Sequence, residues 1–281
     1  EKRNTIKFEL AKDYYESGLL DKSKILLEEI NSEFIQVQVL QLLIHLSEQT
    51  KSWDDCLKYT EKVISIDEKN DYKSIHRNYY CEIAEIYLKK NELEKFIEYL
   101  NIIIGKFGDF PRIKFLKLQY FIKIKDTNKI LDIWFDLISN NKNFIDALIN
   151  ELSSFLLENS SNFPLVIFKE SLQKCPSLTL IKSIFKNFDL LKNKNYKTEL
   201  IEDIFKYLKN IEKIDSEIIF YFMKNLSLIE NEKLLEFLEN NCSKNKFVEN
   251  FEKNYKCGVC GYNSSNMYWQ CISCKSWESF L

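Results

Sequence analysis

Cys257-Gly-Val-Cys260 and, after ten intervening residues, Cys271-Ile-Ser-Cys274 decide how the end of this chain folds. Each Cys-x-x-Cys pair places two sulfur atoms on one tight turn, and two such turns facing each other supply four thiolate ligands. This pattern predicts a closed, tetrahedral site for one zinc ion, with iron as the alternative metal. Disulfides or idle thiols are the other interpretation, which the pairing of both turns and the short gap disfavour.

Glycine usage supports a metal-binding turn. The chain has only 5 glycines, and two of them, Gly258 and Gly261, lie inside or just after the first Cys-x-x-Cys pair. Such turns require backbone with positive φ, which costs a residue with a Cβ atom but not glycine. We therefore expect a left-handed glycine at this turn.

Charge argues against a nucleic-acid partner. The 281 residues contain 40 Lys plus Arg and 42 Asp plus Glu, for a net charge of -2. A protein that grips phosphates normally carries a basic excess. The length is enough for one large or two domains, and we predict a helical repeat domain over residues 1–245 and a metal-binding domain over residues 246–281.

The remaining cysteines and the apolar segments bear on the compartment. Four cysteines are scattered singly through apolar helical patterns, and a thiolate metal site needs reduced sulfur, so we expect a cytoplasmic protein. The longest apolar stretch, Ile218–Met223, is far shorter than a membrane-spanning helix. The single cysteines are Cys56, Cys81, Cys175 and Cys242.

An all-α body is predicted from Lys7 to about Asn241, because apolar residues recur at spacings of three and four between short polar turns. Equivalent positions of first helices (Ala11, Ile44, Ala84, Leu118) and of second helices (Ser23, Cys56, Phe96, Ile130) are separated by 33, 40 and 34 residues. This period indicates tetratricopeptide-type helical hairpins with an insertion within Asp67–Lys73. A plain helical bundle and another α-solenoid are the alternatives, and beyond Asn143 no register is assigned.

A stack of helical hairpins offers a surface for another polypeptide. In the tetratricopeptide register, six residues of the first helices face that surface, although ordinary solvated helix residues would show the same pattern. The predicted partner-binding residues are Lys12, Tyr15, His45, Glu48, Glu85 and Gln119.

Catalytic motifs are not found. The sequence has no phosphate-binding loop, no dinucleotide fingerprint and no His-Glu-x-x-His segment. Its two histidines, His45 and His76, are too few for an open catalytic zinc site, and His76 and Cys81 diverge on a helix because they are five residues apart. We therefore predict that the chain is not an enzyme.

Aromatic residues crowd the second Cys-x-x-Cys pair. Tyr268, Trp269 and Trp277 exceed what so small a domain buries internally, which predicts that part of this surface packs on the helical body. A ribbon core or a partner-binding spot would explain the same residues.

A family resemblance rests on these motifs. The segments Tyr255-Lys-Cys257-x-x-Cys260-Gly-Tyr and Met267-Tyr-Trp-Gln-Cys271-x-x-Cys274-Lys-Ser-Trp, after a repeat body containing Leu10-Ala-Lys-Asp-Tyr, resemble the lipopolysaccharide assembly protein B family. That family joins tetratricopeptide repeats to a rubredoxin-like metal domain. The second pair reads Cys-Ile-Ser-Cys where the family usually has proline after the first cysteine, which leaves all four ligands intact.

The resemblance implies a function that spacing does not show. It implies a non-enzymatic adaptor at the cytoplasmic face of the inner membrane, anchored by an N-terminal helix that this sequence does not contain. Its implied partners are the FtsH protease, the lipid A pathway deacetylase whose proteolysis it promotes, and an inner-membrane lipopolysaccharide sensor. The alternatives are a rubredoxin-type iron electron carrier, a generic tetratricopeptide protein-binding scaffold, and a zinc ribbon that touches nucleic acid.

Overall fold

The chain divides into two compact units, Glu1–Leu116 and Lys117–Leu281, which are described separately. Its structure was obtained as a computed structural model. The residues described are 1–66, 72–140, 144–158, 163–209, 211, 214–229, 231–242 and 255–280. The predicted domain boundary at residues 245 and 246 lies outside the described residues and stays a prediction.

The first unit consists of helices joined in pairs. After a 3-10 turn at Glu33–Ile35, the same helix-turn-helix arrangement resumes. The helices are α1 (Lys2–Glu16), α2 (Leu20–Glu28), α3 (Gln36–Thr50), α4 (Trp53–Ile66), α5 (Tyr72–Lys89), α6 (Leu93–Phe107) and α7 (Pro111–Ile124), which crosses into the second unit.

A left-handed residue closes each of the first four helical hairpins. These residues are Gly18 (φ 74°), Lys51 (φ 55°), Asn91 (φ 64°) and Lys125 (φ 58°), again 33, 40 and 34 positions apart. Each turn is sealed by an amide that donates to a carbonyl five residues earlier, the hydrogen bond that ends a helix in a Schellman motif. The donor and acceptor pairs are Leu19 to Tyr14, Ser52 to Ser47, Glu92 to Tyr87 and Asp126 to Phe121, at 2.8 to 3.0 Å. The predicted repeat register is therefore confirmed.

The interior of each hairpin also follows this register. The four equivalent positions of the second helices, Ser23, Cys56, Phe96 and Ile130, are all 0 % exposed. In the first hairpin the serine hydroxyl donates to the Ala11 carbonyl at 2.7 Å, so the two helices approach closely. The predicted insertion overlaps residues 67–71, which lie outside the described residues.

Polar side chains connect one hairpin of the first unit to the next. Tyr79 donates to Glu48 Oε1 at 2.8 Å and stacks on Trp53, with 5.9 Å between ring centroids. Arg112, only 1 % exposed, donates to Asn78 Oδ1 at 2.8 Å and pairs with Glu82. Burying a charge costs free energy unless the charge is paired, and the Arg112 guanidinium is paired with the Glu82 carboxylate.

The second unit continues as helices that pack on alternate neighbours. α8 contacts α10, α9 contacts α11, α10 contacts α12, and α11 contacts α13. Pro164 is buried in the first turn of α10, where a helix does not need its amide. The helices are α8 (Thr127–Asn140), α9 (Ile145–Glu158), α10 (Phe163–Lys174), α11 (Leu178–Lys186), α12 (Lys194–Leu208), α13 (Ser216–Lys224) and α14 (Glu232–Cys242), with 3-10 turns at Phe188–Leu190 and Leu226–Leu228.

Two short antiparallel strands, β1 (Tyr255–Lys256) and β2 (Asn263–Ser264), begin the C-terminal ribbon. The predicted fold class, an all-α tetratricopeptide-type body with a small ribbon, is confirmed. Within the described residues, no helix has both the length and the apolar character that crossing a bilayer requires.

The left-handed lysine at the second turn generates a stability prediction. Lys51 is exposed, and a residue with a Cβ atom pays about 1 kcal/mol for this conformation, which glycine avoids. We expect Lys51→Gly to raise the unfolding midpoint in a denaturant titration. Lys58→Gly, at an exposed position inside α4, is the matched control and should lower the midpoint, because glycine costs about 1 kcal/mol in a helix interior. A lower midpoint for Lys51→Gly would contradict this assignment.

Candidate metal centre

The first metal-binding turn is built by two backbone hydrogen bonds. The Cys257 amide donates to the Tyr262 carbonyl at 2.8 Å, and the Gly261 amide donates to the Cys257 carbonyl at 2.9 Å. Gly261 has φ +77°, so it is the left-handed glycine that the sequence predicts. The loop thereby turns both sulfur atoms of Cys257 and Cys260 to one side.

The second turn repeats the first at equivalent positions. The Cys271 amide donates to the Ser276 carbonyl at 2.8 Å, and the Lys275 amide donates to the Cys271 carbonyl at 3.0 Å. Lys275 has φ +60° and is the counterpart of Gly261. One backbone conformation therefore forms both turns, although only the first has glycine.

The four sulfur atoms converge on one point. All ligand atoms of Cys257, Cys260, Cys271 and Cys274 lie within 4.8 Å of one another. Cys257 Sγ is 3.7 Å from Cys274 Sγ, and Cys260 Sγ is 3.7 Å from Cys271 Sγ. Four sulfur atoms bound tetrahedrally at about 2.3 Å from zinc would be about 3.8 Å apart. The donor set and its spacing thus fit one metal ion.

Two of the ligand thiols lie within hydrogen-bond distance of serine hydroxyl groups. Ser279 Oγ lies 3.2 Å from Cys257 Sγ, and this hydrogen bond is the main cause that lowers the pKa of Cys257 to about 6. Ser276 Oγ lies 3.2 Å from Cys274 Sγ and likewise lowers the pKa of that thiol. Since metals bind the thiolate, these hydroxyls favour the binding form.

The ribbon has a very small core. Its buried residues are Tyr255, Cys257, Cys271 and Phe280, with Tyr268 packed on Phe280 at 6.0 Å between ring centroids. Two of these four are metal-ligating candidates. A core of this size contributes little hydrophobic stabilisation, so an ion bound by the four thiolates would add substantially to the stability of the ribbon.

Aromatic residues of the ribbon lie against the helical part of the same unit. The Trp269 ring lies 5.7 Å from the Phe144 ring, next to the start of α9. Burial raises the pKa of Tyr255 to about 12, and the nearby Asp146 carboxylate adds to this effect. The predicted docking is therefore confirmed for Trp269, whereas Tyr268 packs inside the ribbon. Phe144 and Asp146 were missed, because no motif links them to residues so distant in sequence.

Comparison with known proteins identifies the ribbon and extends the likeness along the chain. A family model for the rubredoxin metal binding domain matches residues 255–281. Lipopolysaccharide assembly protein B of Escherichia coli strain K12 is 18% identical over 286 aligned residues, covering 96% of this chain and 69% of that protein. The family resemblance is confirmed. The same protein from Escherichia coli O157:H7 matches equally.

A solved structure also resembles the chain. It is a tetratricopeptide repeat protein from Parabacteroides merdae, with 12% identity, a TM-score of 0.38, and coverage of 85% of this chain and 98% of that one.

The residues predicted to bind a partner are exposed or half-buried. Lys12 and His45 are exposed, while Tyr15, Glu48, Glu85 and Gln119 are half-buried. Three of them lie together, since His45 Nδ1 is 3.8 Å from Glu48 Oε2 and the charge of Glu48 adds to the burial that raises the pKa of Tyr15. Glu48 also accepts from Tyr79, and Glu85 pairs with Lys89 at 2.7 Å. Their role toward a partner stays a prediction.

His76 is a core histidine. It is buried, its Nδ1 lies 2.7 Å from Thr60 Oγ1, and its ring packs edge-on against Tyr80. Burial lowers the pKa of His76, so the neutral ring is favoured. The hydrogen bond and the aromatic contact explain why a histidine is buried here, so its presence does not call for a catalytic role.

The equivalence of the two turns predicts that two substitutions affect metal affinity differently. Gly261→Ala should weaken metal binding about ten-fold, because a left-handed alanine costs about 1 to 2 kcal/mol. An added Cβ there meets only Lys256 Cε at 3.8 Å, so the effect is conformational and not a clash. Lys275→Gly should leave affinity unchanged or tighten it. Competition with a chromophoric chelator measures both, and a weaker Lys275→Gly variant would contradict the equivalence.

Proposed function

We propose that the chain is a non-enzymatic adaptor, in which the helical hairpins hold protein partners and the metal ribbon stabilises the end of the second unit. The supporting observation is the closed tetrathiolate site within a chain similar, over 96% of its length, to a protein named for assembly rather than for a reaction. Four protein ligands leave no coordination position for a substrate or an activated water.

The metal is zinc in this proposal. Zinc favours a tetrahedral set of four thiolates and has no redox chemistry, which suits a site whose task is to hold two turns together. An iron electron carrier would use the same ligands, but similarity to an assembly protein over both units favours the structural role.

Metal content tests this part of the proposal. The purified chain should hold one ion by native mass spectrometry and be colourless, because tetrathiolate ferric iron absorbs visible light and zinc does not. Structural zinc contributes roughly 10 to 16 kcal/mol, so Cys260→Ser should lose the ion and unfold the ribbon while the helical circular dichroism persists. Cys175→Ser, at a cysteine outside the site, is the control that should keep the ion. A coloured protein, or a second ion per chain, would contradict the proposal.

The process served is lipopolysaccharide assembly, as the names of the relatives suggest. In the finer form of the proposal, the chain acts at the cytoplasmic face of the inner membrane. There it promotes degradation of the lipid A pathway deacetylase by the FtsH protease and is opposed by an inner-membrane lipopolysaccharide sensor. This form rests on the family resemblance.

Crosslinking followed by affinity purification tests the adaptor role in cells. A tagged full-length protein should recover FtsH and the deacetylase together. Lys12→Glu combined with His45→Glu should reduce recovery several-fold at unchanged metal content, because both are predicted partner-binding residues and both side chains are exposed. Lys62→Glu, at an exposed lysine of α4 outside the predicted set, is the charge-reversal control for Lys12→Glu and should leave recovery unchanged.

Two results would refute the adaptor role. The first is an unchanged deacetylase level in cells that lack the protein. The second is turnover of a substrate by the purified chain alone.

A further inference from the structure

Helix α9 begins after a residue that cannot cap it. The first amides of a helix have no carbonyl to bond within the helix, and a Ser, Thr, Asp or Asn side chain at the preceding position usually supplies the acceptor. Phe144 precedes α9, and its side chain has no acceptor atom. Other helices of the second unit do begin with such a residue, which accepts a hydrogen bond from a first-turn amide: Ser177 for α11, Asn193 for α12, Asp215 for α13 and Asn231 for α14.

The ribbon supplies an acceptor to α9 from a distant part of the sequence. The amide of Ala147, in the first turn of α9, donates a hydrogen bond to the hydroxyl oxygen of Tyr255. Tyr255 is only 5 % exposed, so this hydrogen bond is shielded from water. The Trp269 ring adds an apolar contact, because it lies 5.7 Å from the Phe144 ring. Two ribbon residues thus cover the start of one helix.

These two residues occupy equivalent positions in the two metal-binding turns. Tyr255 precedes Cys257 by two residues, and Trp269 precedes Cys271 by two residues. Each of these cysteines begins a turn that is closed by the same pair of backbone hydrogen bonds. The separation of Tyr255 and Trp269 is therefore set by how the two turns are held together. An ion bound by all four sulfur atoms would hold them in this way.

A second contact joins the start of α9 to the helix on which it packs. The Asp146 carboxylate accepts a hydrogen bond from the Ser183 hydroxyl group of α11, and α9 contacts α11. An acidic side chain in the first turn is also favoured by the helix dipole. Because this contact does not involve the ribbon, it keeps α9 on α11 when the ribbon changes. Only the contacts made by Tyr255 and Trp269 should respond to the ion.

We propose that Tyr255 and Trp269 form a metal-dependent cap on helix α9, and that loss of the ion from the four thiolates releases the first turn of this helix. The apolar residue before α9, the buried hydrogen bond and the equivalent positions of the two ribbon residues carry this inference. It requires an ion in the ribbon, of whichever metal, and does not depend on the adaptor role. The ion thereby orders part of the helical body as well as the ribbon.

Hydrogen exchange at single amides, measured by NMR, tests the proposal. Tyr255→Phe keeps the ring in the ribbon core and removes only the hydroxyl group. In the metal-loaded variant the Ala147 amide should exchange about five- to ten-fold faster, which is the size of effect expected when a helix loses its cap. Metal content should stay unchanged, because the four cysteines are intact. Removing the ion from the wild-type chain with a chelator should accelerate exchange at Ala147 at least as much, since Trp269 is then released as well.

Two controls and three outcomes decide the test. The Leu180 amide, at the same position of α11, is capped by Ser177 at 3.1 Å and should keep its exchange rate in both experiments. Tyr262→Phe removes the hydroxyl group of another ribbon tyrosine, which is 38 % exposed, and should leave Ala147 unchanged. An unchanged Ala147 rate in Tyr255→Phe, or after removal of the ion, overturns the proposal. Equally fast exchange at Leu180 overturns it too, because the effect would then be a general loss of structure and not the release of one helix end.

Discussion

Four sulfur atoms that must share one small coordination sphere constrain the C-terminal ribbon. Among the described residues 255–280, the buried core has two residues besides the cysteines, Tyr255 and Phe280, which contribute little hydrophobic stabilisation. A metal ion held by the four thiolates would supply free energy and hold both turns in one backbone conformation. With the ribbon formed, Trp269 is held against Phe144 beside α9.

A different constraint governs the hairpins, and it explains what the sequence could predict. The spacing of small and apolar residues predicts the register. Each hairpin needs a turn of one conformation, so the buried positions and the turns recur at the same intervals. The turn residue itself is hard to find, since lysine and asparagine replace glycine at Lys51, Asn91 and Lys125. A search for glycine would have found one turn of four. The periodic spacing of apolar residues is retained despite these substitutions, because burial constrains many positions at once.

Contacts between distant residues were beyond the reach of pattern reasoning. Nothing local predicts that Arg112 is buried against Asn78 and Glu82, or that Phe144 receives the ribbon. The contacts of the predicted partner-binding residues could not be predicted from the sequence either. The register places Glu48 correctly on a first helix, but only the structure reveals that its carboxylate accepts a hydrogen bond from Tyr79. Exposed residues of the predicted partner-binding set, such as His45, are consequently better positions than Glu48 for testing partner binding by substitution.

The protein combines a helical-repeat body with a C-terminal ribbon in which four cysteine sulfur atoms converge. The central claim is that one ion is held by these four thiolates alone. X-ray absorption at the zinc edge of the purified protein measures this directly. The account predicts a first shell of four sulfur atoms at about 2.3 Å. A shell that contains nitrogen or oxygen, or fewer than four sulfur atoms, would contradict it.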